Sequence, residues 1–208
     1  MKRFLILAAT CVGAFIGATV HAEGDADPAK TVAAGAAKAV VCGACHGANG
    51  NSVNPEWPSL AGLGADYIAQ QLQNFKEGKR QNPIMMPNAM TLSPEDMTDL
   101  GAYFDSLKNT GLEADPSHYK AGEKLYRGGD AVRGIPACMA CHGPAGVGNE
   151  AAKFPALRGQ QPIYVVKQLH DYASGARTTG PNNVMQMIAA RLTDDDMRNL
   201  AAYVEGIR

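Results

Sequence analysis

The chain has 208 residues, 46% of them hydrophobic and 19% charged, with a formal net charge of -1. That length suits one domain or two small ones. The balanced charge, without a basic run or basic residues interleaved with aromatics, points away from a nucleic-acid partner.

In chain order the first feature is a leader. Lys2 and Arg3 precede an uncharged apolar run of 17 residues from Phe4 to Val20, and Val20-His21-Ala22 offers a small-residue cleavage site before Glu23-Gly24-Asp25. This is the pattern of a secretory signal peptide, and it is shorter than the roughly 20 residues a membrane span needs. Residues 1–22 are therefore expected to be removed, Cys11 with them, leaving 186 residues and four cysteines. Loss of Lys2 and Arg3 takes the charge from -1 to -3.

The remainder is an internal repeat. VCGACHG (41–47) returns as ACMACHG (137–143), Trp57-Pro58-Ser59-Leu60-Ala61-Gly62 as Phe154-Pro155-Ala156-Leu157-Arg158-Gly159, and YIAQQLQNFKEGKR (67–80) as YVVKQLHDYASGAR (164–177). MTLSPEDMTDLGAYFDSL (90–107) matches the segment IAARLTDDDMRNLAAYVEGI that ends at Ile207. The offset drifts from 96 to 97 to 100, as loop-sized changes in a duplicated domain would make it do. A unit of this length is a whole domain. The boundary falls in the Gly-, Pro- and Asp-bearing stretch 109–118, giving domains 23–112 and 113–208.

Each half reads as helical. Ala29 to Val41 is alanine-rich, and Tyr67 to Glu77 carries Ile68, Leu72 and Phe75 at helical spacing, with Gly78 as a stop. Ser93, Pro94 and Asp96 predict a capped helix start, and Met97, Leu100, Phe104 and Leu107 mark its apolar face. Thr193, Asp196, Met197, Leu200, Val204 and Ile207 repeat the arrangement. No segment reads as a strand, so the predicted class is all-α.

Cys-x-x-Cys-His is the signature of covalent haem attachment. One helical turn presents both thiols to the two porphyrin vinyl groups, and the adjacent histidine offers its imidazole to the iron. Cys42, Cys45 and His46 would hold one haem c, and Cys138, Cys141 and His142 a second. A zinc site built from the four cysteines leaves His46 and His142 unexplained. Redox disulfides call for a βαβ context that this sequence lacks.

A methionine opposite the histidine raises a haem's reduction potential. Met85 and Met185 each lie eight residues before an N-cap, Ser93 and Thr193, and are the candidate sixth ligands, with Met86 and Met187 as alternatives. Met97 and Met197 fall on a buried helix face, and Met139 in the attachment loop. His118 and His170 have no counterpart in the first half. The Pro58 and Pro155 segments are the expected acceptors for the second N–H of each histidine. Arg80 and Arg177 recur in register, either to pair with haem propionates or as solvated helix ends. Trp57, Phe154, Tyr67 and Tyr164 are expected against the porphyrins.

The paired CxxCHG motifs, the WPSLAG and FPALRG loops, the Y…QL helices and a Met ahead of LSPEDMTDLGAYF and LTDDDMRNLAAYV resemble the dihaem cytochrome c4 family over essentially all of the mature chain. The resemblance implies two tandem cytochrome c-like domains related by a pseudo-twofold, each wrapped around a covalent haem, with propionates facing across the interface. It also implies a periplasmic electron carrier, in some members associated peripherally with the membrane, passing electrons from a respiratory donor towards a terminal oxidase. The alternatives are a dihaem subunit of a dehydrogenase complex and a dihaem peroxidase, the latter needing an open iron position. Two departures stand out: the longer LYRGGDAVRGIPA segment before the second motif, and a spacing from Arg to Met of five positions in the first half against eight in the second. The halves also differ in charge. Residues 23–114 hold 11 acids against 6 bases, and residues 115–208 hold 9 against 11.

Overall fold

The computed structural model describes residues 27–207; the leader expected over residues 1–22 lies outside them. Asp27 caps the first helix, α1 (Pro28–Lys38), by accepting from the Ala29 N–H at 3.1 Å, and Pro28 stands where a missing N–H costs nothing. A short α2 (Gly43–His46) carries the first motif, followed by α3 (Ala65–Lys76), a short α4 (Met85–Met90) and α5 (Pro94–Ser106). The second half repeats the order as α6 (Pro116–Gly128), α7 (Met139–His142), α8 (Pro162–Ser174), α9 (Val184–Ala189) and α10 (Asp194–Gly206). Among the described residues there is no strand, only isolated bridges pairing Asp130 with Ile135 and Asn149 with Phe154.

Both capping boxes expected from the sequence are present. Ser93 and Asp96 satisfy each other's backbone N–H groups at the start of α5, as Thr193 and Asp196 do for α10. Each of these helices is the spine of its half. α5 packs against α1 and α3, and α10 against α6 and α8. The crossings depend on glycine: a Cβ on Gly35 would come within 2.0 Å of the Asp99 carbonyl oxygen, and one on Gly122 within 1.9 Å of the Asn199 oxygen. Met97 and Leu100 are buried in the first half, and Met197 and Leu200 in the second, as the 3.6-residue pattern requires.

Two segments depart from the simple helical reading. α1 ends at Lys38 rather than Val41, and the chain turns at Ala39 to enter the motif. The long segment before the second motif folds into a hairpin-like turn closed by Asp130 and Ile135, which sends Arg133 to the N-terminus of α10.

Residues 107–115 join the halves and touch both. The Asn51 side chain donates to the Lys108 carbonyl at 3.0 Å, and the Leu112 N–H donates to the Glu205 carbonyl.

Candidate functional site

Each motif forms one helical turn that carries both of its cysteines, the first as N-cap and the second within the turn. Cys42 is the N-cap of α2, the His46 N–H donates back to its carbonyl at 3.0 Å, and Cys138 and His142 repeat the bond at 3.0 Å. All four cysteines are free and half-buried. Burial pushes the Cys138 thiol up to about 11, and the Cys42 thiol also upward. Gly47 and Gly143 follow with φ of 82° and 79°, a left-handed conformation that strains any residue with a Cβ, which accounts for the glycine ending both CxxCHG strings.

The histidines are buried and identically held. His46 Nδ1 lies 2.8 Å from the Pro58 carbonyl oxygen, and His142 Nδ1 lies 2.8 Å from that of Pro155. A carbonyl only accepts, so Nδ1 carries the proton. Burial lowers both histidine pKa values, outweighing the carbonyl bond that raises them, so each ring is neutral in the physiological range. The Nε2 lone pair is then free for a metal, the tautomer a haem ligand needs. Gly50 and Gly146 close the loops that present these oxygens: the Gly50 carbonyl accepts from the Leu60 and Ala61 N–H groups, and the Gly146 carbonyl from those of Leu157 and Arg158.

The methionine side is less uniform. Met85 opens α4, and Asn82 Oδ1 accepts from both the Ile84 and Met85 N–H groups at 2.9 Å. Met185 is the second residue of α9, behind a 3₁₀ turn at Pro181–Asn183 in which Asn182 and Asn183 take φ of 53° and 56°. That turn absorbs the extra residues between Arg177 and Met185. Fully buried Ala89 and Ala189 keep the two short helices in register. Met85, Met86 and Met185 are half-buried, whereas Met187 is 52% exposed. Gln186 replaces Met86 in the second half, and its Oε1 is buried without a partner.

Several expected neighbours fall elsewhere. Arg80 and Arg177 are not solvated helix ends; both are buried at the boundary between the halves. Tyr67 and Tyr164 turn their hydroxyls to these arginines, each to the one from the other half. Phe154 does lie near its histidine, with ring centroids 6.3 Å apart. Met139 opens α7 and packs on the second core. Tyr126, which the sequence did not mark, donates to the Gly143 carbonyl at 2.7 Å and buttresses the motif. The four cysteines sit in separate halves, and no group of three or more His, Cys, Asp or Glu converges on a point among the described residues. A shared zinc site is therefore excluded by placement.

A thiol-bearing turn, a buried neutral histidine with a free Nε2 and a half-buried thioether on the next short helix fit covalent haem. Their presence in both halves defines a dihaem c-type cytochrome. The Cytochrome c family model matches residues 32–108 and 119–208. The chain is 47% identical to cytochrome c4 of Pseudomonas aeruginosa over 188 residues, 90% of each protein. It is 36% identical to a thiosulfate dehydrogenase electron acceptor of Stutzerimonas stutzeri, over 92% of this chain and 86% of that protein. Reduced recombinant cytochrome c4 from Pseudomonas stutzeri superposes with a TM-score of 0.83 at 43% identity, over 85% of this chain and 98% of that one. The chain belongs to the cytochrome c4 family, carries two haem c groups and transfers electrons.

Proposed function

We propose that Cys42 and Cys45 fasten the first haem, with His46 and Met85 on its iron, and that Cys138 and Cys141 fasten the second, with His142 and Met185. The cysteines would hold each haem through thioether bonds, every S–H adding across a vinyl group with sulfur on one carbon and hydrogen on the other. The bound haem supplies an iron that cycles between ferric and ferrous by one electron. His46 and His142 give an Nε2 lone pair from rings locked by the Pro58 and Pro155 carbonyls, and the thioethers favour the ferrous state. Held by a histidine and a methionine of this chain, the group would supply one-electron exchange with no position left open to a substrate. The observation that carries this reading is the matched pair of histidine–carbonyl bonds, each in a half that also presents a half-buried methionine.

The finer reading is a carrier exported to the periplasm after removal of residues 1–22, with its two domains meeting between residues 112 and 113. It takes electrons from a respiratory donor and passes them towards a terminal oxidase, with peripheral membrane association. Among the described residues no helix is long and apolar enough to cross a membrane. The -5 of residues 23–114 against the +2 of residues 115–208 gives the two ends different docking preferences. Charge swaps on either half are expected to change the salt dependence of electron delivery; an unchanged dependence contradicts that assignment.

A second reading, as the electron-accepting subunit of a dehydrogenase, draws support from the thiosulfate dehydrogenase electron acceptor among the relatives. Co-purification with a catalytic partner separates the two readings. The matched methionines disfavour a dihaem peroxidase. Spectroelectrochemical titration of the holoprotein with and without carbon monoxide tests the ligand set. Two low-spin, high-potential haems indifferent to carbon monoxide support it; a haem that binds carbon monoxide overturns the methionine at that site.

A further inference from the structure

The peptide group that orients each axial histidine also bears an N–H, and in both halves that N–H is accepted by the other half. The Pro58 carbonyl takes the His46 Nδ1–H, and the N–H of the same peptide bond, on Ser59, donates to Gln160 Oε1 at 2.8 Å. In the second half the Pro155 carbonyl takes the His142 Nδ1–H, and the Ala156 N–H of that peptide donates to the Leu63 carbonyl at 3.3 Å. Leu63 and Gln160 hold the same place in the repeat, each directly after the glycine of its loop, Gly62 or Gly159. The two contacts are therefore counterparts that differ in kind. One ends on a backbone oxygen, the other on a side-chain amide.

The amide contact is the more closely built. Gln160 closes on Ser59 with two bonds, since its Nε2 also donates to the Ser59 carbonyl at 2.9 Å. Its Oε1 accepts from the Gln161 N–H as well, at 3.0 Å, so two backbone donors fix which end of the amide is oxygen. Gln161 Nε2 in turn donates to the Ser52 carbonyl at 2.5 Å, and the Ser52 N–H donates to Ser59 Oγ at 3.2 Å. Both ends of the loop 52–59 are thus tied to the second half. Ser59 is 3% exposed and Gln160 5% exposed, so the Ser59 N–H has no solvent to turn to if Gln160 is lost.

A peptide is one conjugated unit. An acceptor on its N–H draws electron density towards its carbonyl oxygen, and hydrogen bonds in series strengthen one another. From His46 through Pro58 and Ser59 to Gln160 there are two such bonds across one peptide. A stronger acceptor on Nδ1–H makes a histidine ring more basic at Nε2, and a more basic ligand favours ferric over ferrous iron.

Resting on the two-haem reading above, we infer that Gln160 of the second half is a positioning residue for His46 of the first: it polarises the Pro58–Ser59 peptide, tightens the Nδ1–H bond and lowers the reduction potential of the first site. The first site's potential then depends on the docking of the second half through hydrogen bonds alone. The reverse path, from Leu63 to His142, runs through the longer bond and is the weaker.

The test is Gln160→Leu in the two-haem protein, which gives the second half the residue that the first half carries at the matching place. Haem content and low-spin spectra are checked first; two haems with unchanged ligation leave the two-haem reading standing whatever the potentials do. Proton magnetic resonance during a redox titration then follows each site separately. The expected result is a rise in the first potential, an unmoved second potential and an upfield move of the His46 Nδ1–H signal in the reduced protein. An unchanged first potential, an equal rise at both sites, or a rise without movement of the Nδ1–H signal overturns the relay. Gln161→Leu removes a bond across the same boundary without touching the Pro58–Ser59 peptide, and should leave the first potential in place. A shift as large as that of Gln160→Leu would make general loosening the cause and contradict the inference. If Gln160→Leu does not fold, the unaltered reduced protein still decides: the His46 Nδ1–H signal is expected downfield of that of His142, and coincident or reversed signals contradict the relay.

Discussion

In both halves the histidine Nδ1 lies 2.8 Å from a proline carbonyl, whereas Met85 follows Arg80 by five positions and Met185 follows Arg177 by eight. The histidine side must set a rigid ring against one backbone oxygen, so its loop tolerates little variation. The methionine side ends in a flexible thioether with three rotatable bonds, which can reach one point from different backbones. Asn82 in the first half and the 3₁₀ turn in the second are two solutions to the same placement. The helix starts differ likewise. Lys38 of α1 holds the capping carboxylate Asp96 at 2.7 Å and Asp99 at 2.6 Å, while in the second half Arg133 of the inserted turn grips Asp196 at 2.5 Å. Differences that arise within each half should therefore originate on the methionine side, where Met86 gives way to a buried Gln186.

The largest separation of the halves comes from removing one attachment site. Cys138→Ser with Cys141→Ser is expected to leave one covalent haem per chain instead of two, read by intact mass and haem absorbance. The first half should keep its own haem and spectrum; loss of both contradicts independent attachment.

The helix crossings come next. Gly35→Ala and Gly122→Ala each drive a Cβ against backbone oxygen, which no rotamer relieves. Each should cost about 1–3 kcal/mol, measured by chemical denaturation of the holoprotein. Equal costs would show that the two crossings are equivalent despite their different surroundings.

The caps should cost less. Ser93→Ala and Thr193→Ala each remove one side-chain cap, a loss of about 1 kcal/mol. A smaller acid effect lies on the same helix: Arg133, opposed in part by burial and aided by Thr193, lowers Asp196 to about 2. A carboxylate ordinarily titrates near ~3.9, so its contribution is complete above about pH 4 and is lost as pH falls towards about 2. Asp196→Asn should flatten acid unfolding over that window, and an unchanged acid profile would show that the pair contributes nothing there.

Much of this was legible from spacing. The capping boxes, the buried faces of α5 and α10, and the proline carbonyls opposite the histidines follow from local chemistry that sequence displays directly. The short α4 and α9 did not show, because six residues carry too little periodicity. The fate of Arg80 and Arg177 was hidden for another reason. Their partners Tyr164, Tyr67, Gln71 and Gln168 come from both halves, up to 110 positions away, and no local pattern encodes a contact that exists only after the halves dock. Arg133 was likewise opaque, since its target Asp196 lies 63 positions further on.

The central claim, one His/Met-bound haem in each half, is tested most directly by proton magnetic resonance of the reduced holoprotein. An iron-bound methionine methyl sits over the porphyrin face, and its signal moves far upfield. The account predicts two such signals, one lost in Met85→Ala and the other in Met185→Ala. A single signal, or one that vanishes instead in Met86→Ala or Met187→Ala, would contradict it.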